Sequence, residues 1–253
     1  MSRSSHGGRH ELGQNFLRHR PTIDHLVALT ARTSGPILEL GSGDGALTRS
    51  LARLDRDFTA IDLDERRVSR LRRTLPGVRI EHADALRHPL TADTIVSNIP
   101  FHITTPILRR LLGSPAWSDA VLVTQWEVAR KRAGVGGRSM MTAQADPWYE
   151  FTLDSRVSAR HFRPVPSVDG GIITIRRRSH PLVPRSQRRE YEKFVKAVFT
   201  GRGVGLARIL HHAAHVDMRT VRRALDRAGV RPRDLPRDLD ANQWASVWRS
   251  VRR

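Results

Sequence analysis

An apolar run meets a glycine-rich turn at Ile37-Leu38-Glu39-Leu40-Gly41-Ser42-Gly43-Asp44-Gly45. We interpret residues 37–40 as a short buried strand, and the following residues as a helix with Leu47, Leu51 and Leu54 on one face. Glycines between a strand and a helix let a ligand approach the backbone at the helix N-terminus. The spacing is G-x-G-x-G rather than the G-x-G-x-x-G of dinucleotide-binding folds, so the turn alone is weak evidence.

Two acidic residues follow the next predicted strands. The strand at 58–61 ends at Asp62, 21 residues beyond Gly41, where a carboxylate can accept hydrogen bonds from ribose hydroxyls. The strand at 78–81 is followed by Asp84-Ala85, and Asp84 fits two roles equally well: acceptor for an adenine amine, or cap of the next turn. The glycine turn and Asp62 together predict a cofactor that contains a nucleoside.

Strands and helices alternate along this part of the chain. Helices are predicted at 64–75 and 106–112, and further strands at 94–97 and 120–123. This alternation predicts a doubly wound α/β sheet whose ligand lies at the carboxyl ends of the strands. Each candidate residue falls at such an end.

The sequence Asn98-Ile99-Pro100-Phe101 continues the strand at 94–97. An exocyclic amine such as that of adenine is a poor nucleophile, and the Asn98 oxygen with a nearby backbone carbonyl can accept its two N–H groups. Pro100 fixes the turn, and Phe101 can stack on the base. No general base is essential, because the nitrogen loses its proton readily once it is alkylated. Four residues alone fit a strand-ending loop with a buried Phe as well.

The charge balance favours a polyanionic partner. The 253 residues carry 44 Lys and Arg against 25 Asp and Glu, a formal net charge of +19, and nucleic acid is the simplest partner for such an excess. A hydrophobic content of 39% is enough for a folded core.

Several classes of site are excluded or disfavoured. The chain has no Cys, which excludes disulfides, thiolate metal sites and a Cys nucleophile. The 12 His do not cluster at metal-ligand spacings, so we predict no metal. No G-x-S-x-G elbow marks a hydrolase. Without an apolar run of membrane length, we expect a cytoplasmic protein with no membrane partner, monomeric, with a mobile basic arm at residues 2–10.

Basic residues surround a glycine-rich loop at 134–137. We predict RNA contacts for Arg130, Lys131, Arg132 and Arg138, with a solvated surface as the alternative. Two more strands are predicted at 151–157 and 171–175. Between them lies Phe162, which fits either the second face of an aromatic sandwich around a base or the core.

The pattern changes near Ser179. Four helices are predicted, at 187–199, 206–214, 218–228 and 242–251, and residues 180–253 carry 17 Lys and Arg against 7 Asp and Glu, a net of +10. We therefore predict a catalytic domain at 1–178, including the basic arm, and a small all-helical basic domain at 179–253 that docks the RNA backbone.

The chain resembles the erythromycin-resistance (Erm) family of ribosomal RNA adenine N6-methyltransferases over nearly its whole length. The motifs that carry this resemblance are Gly13-Gln14-Asn15-Phe16-Leu17, residues 39–45, Asn98-Ile99-Pro100-Phe101 and Phe162-Arg163-Pro164-Val165-Pro166-Ser167-Val168-Asp169. The first, third and fourth of these motifs, in this order, are specific to the superfamily that the Erm enzymes share with the small-subunit rRNA dimethyladenosine transferases. The stretches at 125–132 and 147–151 resemble actinomycete Erm enzymes more than that housekeeping branch.

The resemblance implies a Rossmann-like methyltransferase domain that uses S-adenosylmethionine. The implied cofactor contacts are Asn15 and Leu17 with the methionine part, Gly41 with the middle, Asp62 with the ribose, and Asp84 with Ala85 at the adenine. Gly43 and Asn98 also belong to the implied cofactor-binding residues. Asn98 would also hold the target amine, and Phe101 and Phe162 would bracket the base, with Pro100 in the same catalytic motif. The implied substrate is one adenine of 23S rRNA in the peptidyl-transferase loop. Its methylation would block macrolide, lincosamide and streptogramin B binding.

Two positions depart from the family pattern. The position of Asp62 is more often Glu, so cofactor binding is expected to be retained but weaker. The position of Phe101 is often Tyr, so stacking is retained and any role of a hydroxyl is lost. The sequence is compatible with the addition of one methyl group or two, and with naked RNA or a ribosomal precursor as the substrate. It does not specify the target nucleotide.

Three other functions share part of this sequence pattern. A small-subunit rRNA dimethyladenosine transferase is disfavoured by the stretches at 125–132 and 147–151. A DNA adenine methyltransferase is disfavoured, because such enzymes more often carry an Asp-Pro-Pro-Tyr-like motif, where this chain has Asn98-Ile99-Pro100-Phe101, and a target-recognition insertion, which is not apparent in this sequence. A non-catalytic nucleic-acid-binding protein with the same fold would be indicated by substitution of the turn glycines or of Asn98. This chain retains both features.

Overall fold

The structure is a computed structural model that describes residues 15–252. The predicted basic arm at 2–10, and Gly13 and Gln14 of the first motif, lie outside these residues. The strands are β1 (Phe16–Leu17), β2 (Ile37–Leu40), β3 (Phe58–Asp62), β4 (Arg79–His82), β5 (Thr94–Asn98), β6 (Asp119–Gln125), β7 (Tyr149–Val157), β8 (Phe162–Arg163) and β9 (Gly170–Arg177).

Seven of these strands form one sheet in the order β4-β3-β2-β5-β6-β9-β7, and β1 pairs with β8 separately. The pairs from β4 to β6 are parallel, and β9 is antiparallel to β6. The order reverses beside β2, whose neighbours are β3 and β5. Open parallel sheets bind ligands at such a reversal, outside the carboxyl ends of the strands.

The helices alternate with the strands and then dominate the C-terminal part. They are α1 (Arg20–Ala31), α2 (Thr48–Leu51), α3 (Glu65–Thr74), α4 (Thr104–Gly113), α5 (Trp126–Arg132), α6 (Met140–Ala145), α7 (Arg188–Thr200), α8 (Leu206–Ala214), α9 (Met218–Ala228) and α10 (Ala241–Val251). The predicted Rossmann-like sheet with a helical C-terminal region is confirmed. The short helix α6 and the two-residue strands β1 and β8 were not predicted.

The central strands of the sheet are buried. All four residues of β2 are buried, and α1 packs Ile23 and Leu26 into the same core as Val96 and Val121. A parallel strand that is covered on both faces has a nearly continuous apolar sequence, which explains the pattern at 37–40. Glu39 interrupts that run and is also buried.

Close contacts divide the described chain into two compact units. One contains residues 15–129 and 152–176, and the other contains 130–151 and 177–252. The predicted boundary at 178 lies close to the division at 176, but it placed 130–151 in the first domain. These residues join the second unit because they bond to its C-terminal part: the Tyr191 hydroxyl donates to the carbonyl of Ala143, and Gln144 Nε2 donates to that of Glu192.

The second unit is built around aromatic side chains. Tyr191 packs edge-on against Trp148 and Trp248, with ring centroids 5.4 and 5.8 Å apart. Helices α9 and α10 lie side by side, and α9 buries Val221, Ala224 and Leu225. None of the helices in residues 15–252 is long and apolar enough to cross a membrane.

Candidate functional site

An open cleft lies at the carboxyl ends of β2, β3, β4 and β5, within the first unit. It is lined by eight predicted site residues, which are Asn15, Gly41, Gly43, Asp62, Asp84, Ala85, Asn98 and Pro100. Side chains that were not predicted complete the wall, among them Phe16, Leu63, His102, Ile103 and Ile107. The structure therefore brings most of the predicted cofactor residues together around one space.

The glycine turn has a left-handed backbone conformation, which residues other than glycine rarely adopt. Gly41, Gly43 and Gly45 have φ values of 78°, 53° and 80°. A Cβ added at Gly41 would meet no atom within 4 Å, whereas one at Gly45 would lie 2.4 Å from Leu71. Gly45 is thus required by close packing, and Gly41 leaves space open on the cleft side, where a bound group can approach the backbone.

Asp62 connects the end of β3 to this turn. Its Oδ2 accepts the backbone N–H of Gly43 at 2.7 Å, and its Oδ1 accepts that of Asp64 at 2.9 Å. Although the residue is buried, each carboxylate oxygen can accept a second hydrogen bond. Asp62 therefore has a structural role that the sequence did not reveal, and it keeps the capacity to bind hydroxyl groups.

Asp84 lies at the end of β4 and begins a helical turn. Its Oδ1 accepts the backbone N–H of Leu86 at 2.8 Å, so the capping role that the sequence left open is present. The guanidinium of Arg110 on α4 donates to the carbonyl of Ala85 at 3.1 Å and also to that of His88. Arg110 therefore fixes the segment that carries Asp84 and Ala85.

Asn98 is oriented by the N-terminal segment. Its Nδ2 donates to the carbonyl oxygen of Asn15 at 2.8 Å, and within residues 15–252 its Oδ1 has no hydrogen-bond partner. Ser97 Oγ donates to the carbonyl of Leu40 at 2.7 Å. The backbone N–H of Ile99 donates to the carbonyl of Val123 at 3.0 Å. The turn after β5 is fixed on both sides, which leaves the Asn98 amide oxygen as an available acceptor.

The segment from Asn15 to Arg18 closes one side of the cleft. Strand β1 pairs antiparallel with β8, so Leu17 lies opposite Phe162. The Arg67 guanidinium lies 4.3 Å from the ring centroid of Phe16, and that ring also packs against Gly43. Leu17 is buried and faces a second cleft rather than the first.

Phe101 and Phe162 do not form an open sandwich. Their ring centroids are 6.1 Å apart at an interplanar angle of 67°, and Phe162 has 0% exposure in the core. A base stacked between two rings needs near-parallel planes with a gap, so the predicted bracketing is not present in this conformation. Only Phe101 is partly exposed; any stacking by Phe162 requires its ring to leave the core.

The second cleft extends around the glycine turn from the first. The two share Phe16, Gly41, Gly43 and Asn98, and the second is also lined by Leu17, Arg18, Glu39, Ser42 and Asp44 among others. Burial raises the pKa of Glu39 to about 8, and the nearby charge of Asp62 acts in the same direction. At neutral pH Glu39 is therefore mostly protonated. Glu39 was not among the residues predicted from the sequence to form the site; a carboxylate within an apolar run is the signal that could have identified it.

The four predicted RNA-binding residues all belong to the second unit. Arg138 Nε donates to Asp146 Oδ2 at 2.6 Å, and that carboxyl is buried. Arg132 donates to Ser139 Oγ at 2.5 Å, while Lys131 is exposed and Arg130 is half-buried. Arg138 thus has a structural partner, and the RNA contacts of all four stay a prediction.

The residues of the first cleft fit S-adenosylmethionine. Carboxylates at the ends of β3 and β4 can accept hydrogen bonds from a nucleoside, and the backbone at Gly41 is open to a bound group. In the part of the chain that the structure describes, no group of three or more His, Cys, Asp or Glu is placed to hold a metal ion.

Comparisons with known proteins agree with this chemistry. The family described as "Ribosomal RNA adenine dimethylase" matches residues 5–251. The chain is 51% identical over 236 residues to the mycinamicin-resistance protein MyrB of Micromonospora griseorubida, covering 90% of this chain and 76% of that protein. It is 50% identical over 214 residues to an rRNA adenine N-6-methyltransferase of Corynebacterium diphtheriae, covering 83% and 84%. A crystal structure of the 23S rRNA methyltransferase ErmE superposes with a TM-score of 0.84 at 36% identity, covering 94% of this chain and 99% of that one.

Proposed function

Since the chain belongs to the ribosomal RNA adenine dimethylase family, we propose that it transfers methyl from S-adenosylmethionine to N6 of one adenine of 23S rRNA. The target lies in the peptidyl-transferase loop, and its methylation confers resistance to macrolides, lincosamides and streptogramin B. One observation carries the chemistry: the Asn98 amide oxygen is without a partner within residues 15–252, and Asn98 itself lines the cofactor cleft. The names of the relatives and of the solved structure support the choice of substrate.

The chain's own residues act mainly by positioning. When bound, S-adenosylmethionine supplies a methyl group on a positively charged sulfur. Asn98 Oδ1 accepts an N–H of the target amine. The hydrogen bond from Asn98 Nδ2 to the carbonyl of Asn15 fixes the orientation of the amide, so that its oxygen points away from Asn15. Phe101 supplies one stacking face. Holding two reactants in line contributes a large part of such an acceleration without any proton transfer by the protein.

The RNA partner requires a positive surface, and α9 has one. Four arginines, Arg219, Arg222, Arg223 and Arg227, are exposed on this helix, and none of them has an ion pair or hydrogen-bonded side chain within residues 15–252. Their spacing of three and four residues puts them on the face opposite the buried Val221 and Leu225. We propose that this face, the α9 arginine face, binds RNA phosphates.

The site of action follows from the substrate. Ribosomal RNA is made and assembled in the cytoplasm, so we propose that the protein acts there, and that it does so as a monomer.

The decisive experiment follows labelled methyl from S-adenosylmethionine into purified 23S and 16S rRNA, with digestion to nucleosides and mass spectrometry. We expect N6-methylated adenosine in 23S rRNA alone, loss of transfer in Asn98→Ala, and normal transfer in Asn242→Ala, a control at an exposed asparagine of α10. Label in 16S rRNA would assign the protein to the small-subunit branch. Binding of cofactor without label in either RNA would refute the proposed reaction.

A further inference from the structure

Arg67 is an arginine of α3 that is directed toward the glycine turn, where it pairs with Asp44. Its side chain is 18% exposed, whereas that of Arg70, about one helical turn further along, is 64% exposed. Arginine side chains are rarely buried in folded proteins unless other groups compensate their charge. The groups that surround Arg67 therefore indicate why this side chain is directed inward.

The Arg67 guanidinium contacts three segments of the chain. Its Nε donates to Asp64 Oδ2 at 3.0 Å, at the cap of α3, and its Nη1 donates to Asp44 Oδ1 at 3.3 Å, in the glycine turn. Its central carbon lies 4.3 Å from the ring centroid of Phe16 in β1. A guanidinium binds carboxylates through its edge and aromatic rings through its face, so these contacts are compatible. Arg67 thus joins α3, the glycine turn and β1.

The Phe16 ring is confined by this guanidinium and by the glycine turn. A Cβ added at Gly43 would lie 3.0 Å from Phe16 Cε1, which is closer than side chains normally pack. Asp44, the next residue of the turn, holds the guanidinium in place. A guanidinium and an aromatic ring attract each other within about 6 Å, and more strongly where water is excluded. Loss of the guanidinium would therefore loosen the ring against the turn.

Phe16 is adjacent to the group that orients Asn98. The ladder between β1 and β8 begins at Phe16, opposite Arg163, so Asn15 lies one residue outside it. The carbonyl oxygen of Asn15 accepts the hydrogen bond from Asn98 Nδ2 at 2.8 Å. This carbonyl belongs to the same planar peptide unit as the backbone nitrogen of Phe16, so its position depends on where Phe16 is held. The path from Arg67 to the Asn98 amide is therefore continuous.

We propose that Arg67 is a positioning residue for methyl transfer, which acts through Phe16 on the orientation of the Asn98 amide. Arg67 lines neither cleft, so it acts on the reaction through these neighbours. An Asn98 amide that is no longer held can rotate and present its NH2 group, a donor, where the target amine needs an acceptor. This proposal deepens the proposed methyl transfer and rests on it.

Steady-state methyl transfer to a 23S rRNA fragment, at saturating S-adenosylmethionine and RNA, tests the role of Arg67. Arg67→Met retains a long unbranched side chain and removes the charge and the planar group. We expect kcat to fall about tenfold or more, because displacement of a positioned group by about 1 Å can cost about 100-fold in rate. Arg66→Met, which removes the same charge at an exposed neighbour on α3, should retain the wild-type kcat. An unchanged kcat in Arg67→Met would overturn the proposal.

A double-mutant cycle separates action through Phe16 from a general structural effect. We expect Phe16→Leu to lower kcat as well, and the double variant to be no slower than the slower single variant, because both changes interrupt the same path. If the two reductions multiply, Arg67 acts independently of Phe16 and the proposal is wrong. Absence of transfer by the wild-type protein would instead refute the proposed reaction, which is a different result.

A second measurement covers the case in which Arg67→Met does not fold. Fluorine atoms on the Phe16 ring withdraw charge from its face and weaken its attraction to a cation, with little change in shape. With Arg67 present, phenylalanine with one, two and three ring fluorines at position 16 should lower kcat stepwise. The same series at Phe58, a buried ring of β3, should leave kcat unchanged. A kcat that is independent of the number of fluorines at position 16 would contradict the proposal.

Discussion

The backbone N–H of Gly43 donates to Oδ2 of Asp62 at 2.7 Å, which joins the glycine turn after β2 to the end of β3. Asp62→Asn should therefore weaken both the turn and cofactor binding. Loss of a hydrogen bond to a charged group costs about 1–3 kcal/mol of unfolding free energy. We expect at least a tenfold lower affinity for S-adenosylhomocysteine, measured by calorimetry beside thermal unfolding. Asp217→Asn, which changes an exposed helix cap on α9, should leave that affinity unchanged.

Gly41 and Gly229 offer a matched pair for the space beside the glycine turn. Both have positive φ, 78° and 63°, and an added Cβ would meet nothing within 4 Å at either. Gly→Ala should cost about 1–2 kcal/mol of stability at each site because of the left-handed backbone. Only Gly41→Ala should also lose cofactor affinity. Equal affinity in the two variants would show that the cofactor does not approach Gly41.

The two phenylalanines should respond differently to truncation. Phe162→Ala removes a fully buried ring and should lower the unfolding free energy by about 3–5 kcal/mol. Phe101→Ala should lose methyl transfer while retaining cofactor affinity and most of its stability. Phe162→Leu, which refills much of the core, should keep near-normal transfer; a sharp loss in a stable Phe162→Leu protein would favour the base sandwich instead.

The α9 arginine face should determine the salt dependence of RNA binding. Changing Arg219, Arg222, Arg223 and Arg227 together to Gln should flatten the slope of log affinity against log salt by about 3, because each phosphate contact contributes about 0.7–0.9. Binding to a 23S rRNA fragment is measured across salt concentrations. The control changes four exposed arginines of the first unit, Arg32, Arg53, Arg66 and Arg73, which alters net charge equally. The same slope in both variants would refute a specific role for α9.

The raised pKa of Glu39 also makes stability depend on pH. A carboxyl whose pKa in the folded state, about 8, exceeds its ordinary value of 4.5 stabilises the fold fully below pH 4.5. That contribution is lost as the pH rises through 8. Urea unfolding should therefore show a wild type that loses a few kcal/mol between pH 5 and pH 8 relative to Glu39→Gln. Parallel pH profiles would contradict burial of the protonated acid.

Local sequence patterns predicted the parts of the site that depend on local structure. Asp62 and Asn98 each end a strand, and the carboxyl ends of neighbouring parallel strands necessarily meet at one edge of the sheet. The glycine turn after Leu40 was equally local. These features needed only the alternation of strands and helices, which the apolar periodicity reveals.

Contacts between distant residues could not be read in this way. Leu17 pairs with Phe162, and no periodicity within either segment indicates the other. The burial of Phe162, the ring of Phe16 against Gly43 and the joining of residues 130–151 to the C-terminal helices all depend on such contacts. Glu39 was visible as an acid in an apolar run, but its meaning depends on the cleft around it.

The pairing of β1 with β8 has a consequence for biosynthesis. The segment that orients Asn98 is held by residues 162–163, and β9, the neighbour of β6, is made later still. Domains fold as their sequences leave the ribosome, N-terminal parts first. A nascent chain that ends before β8 therefore lacks the wall that encloses Asn98, so the enzyme completes its site only late in its own translation.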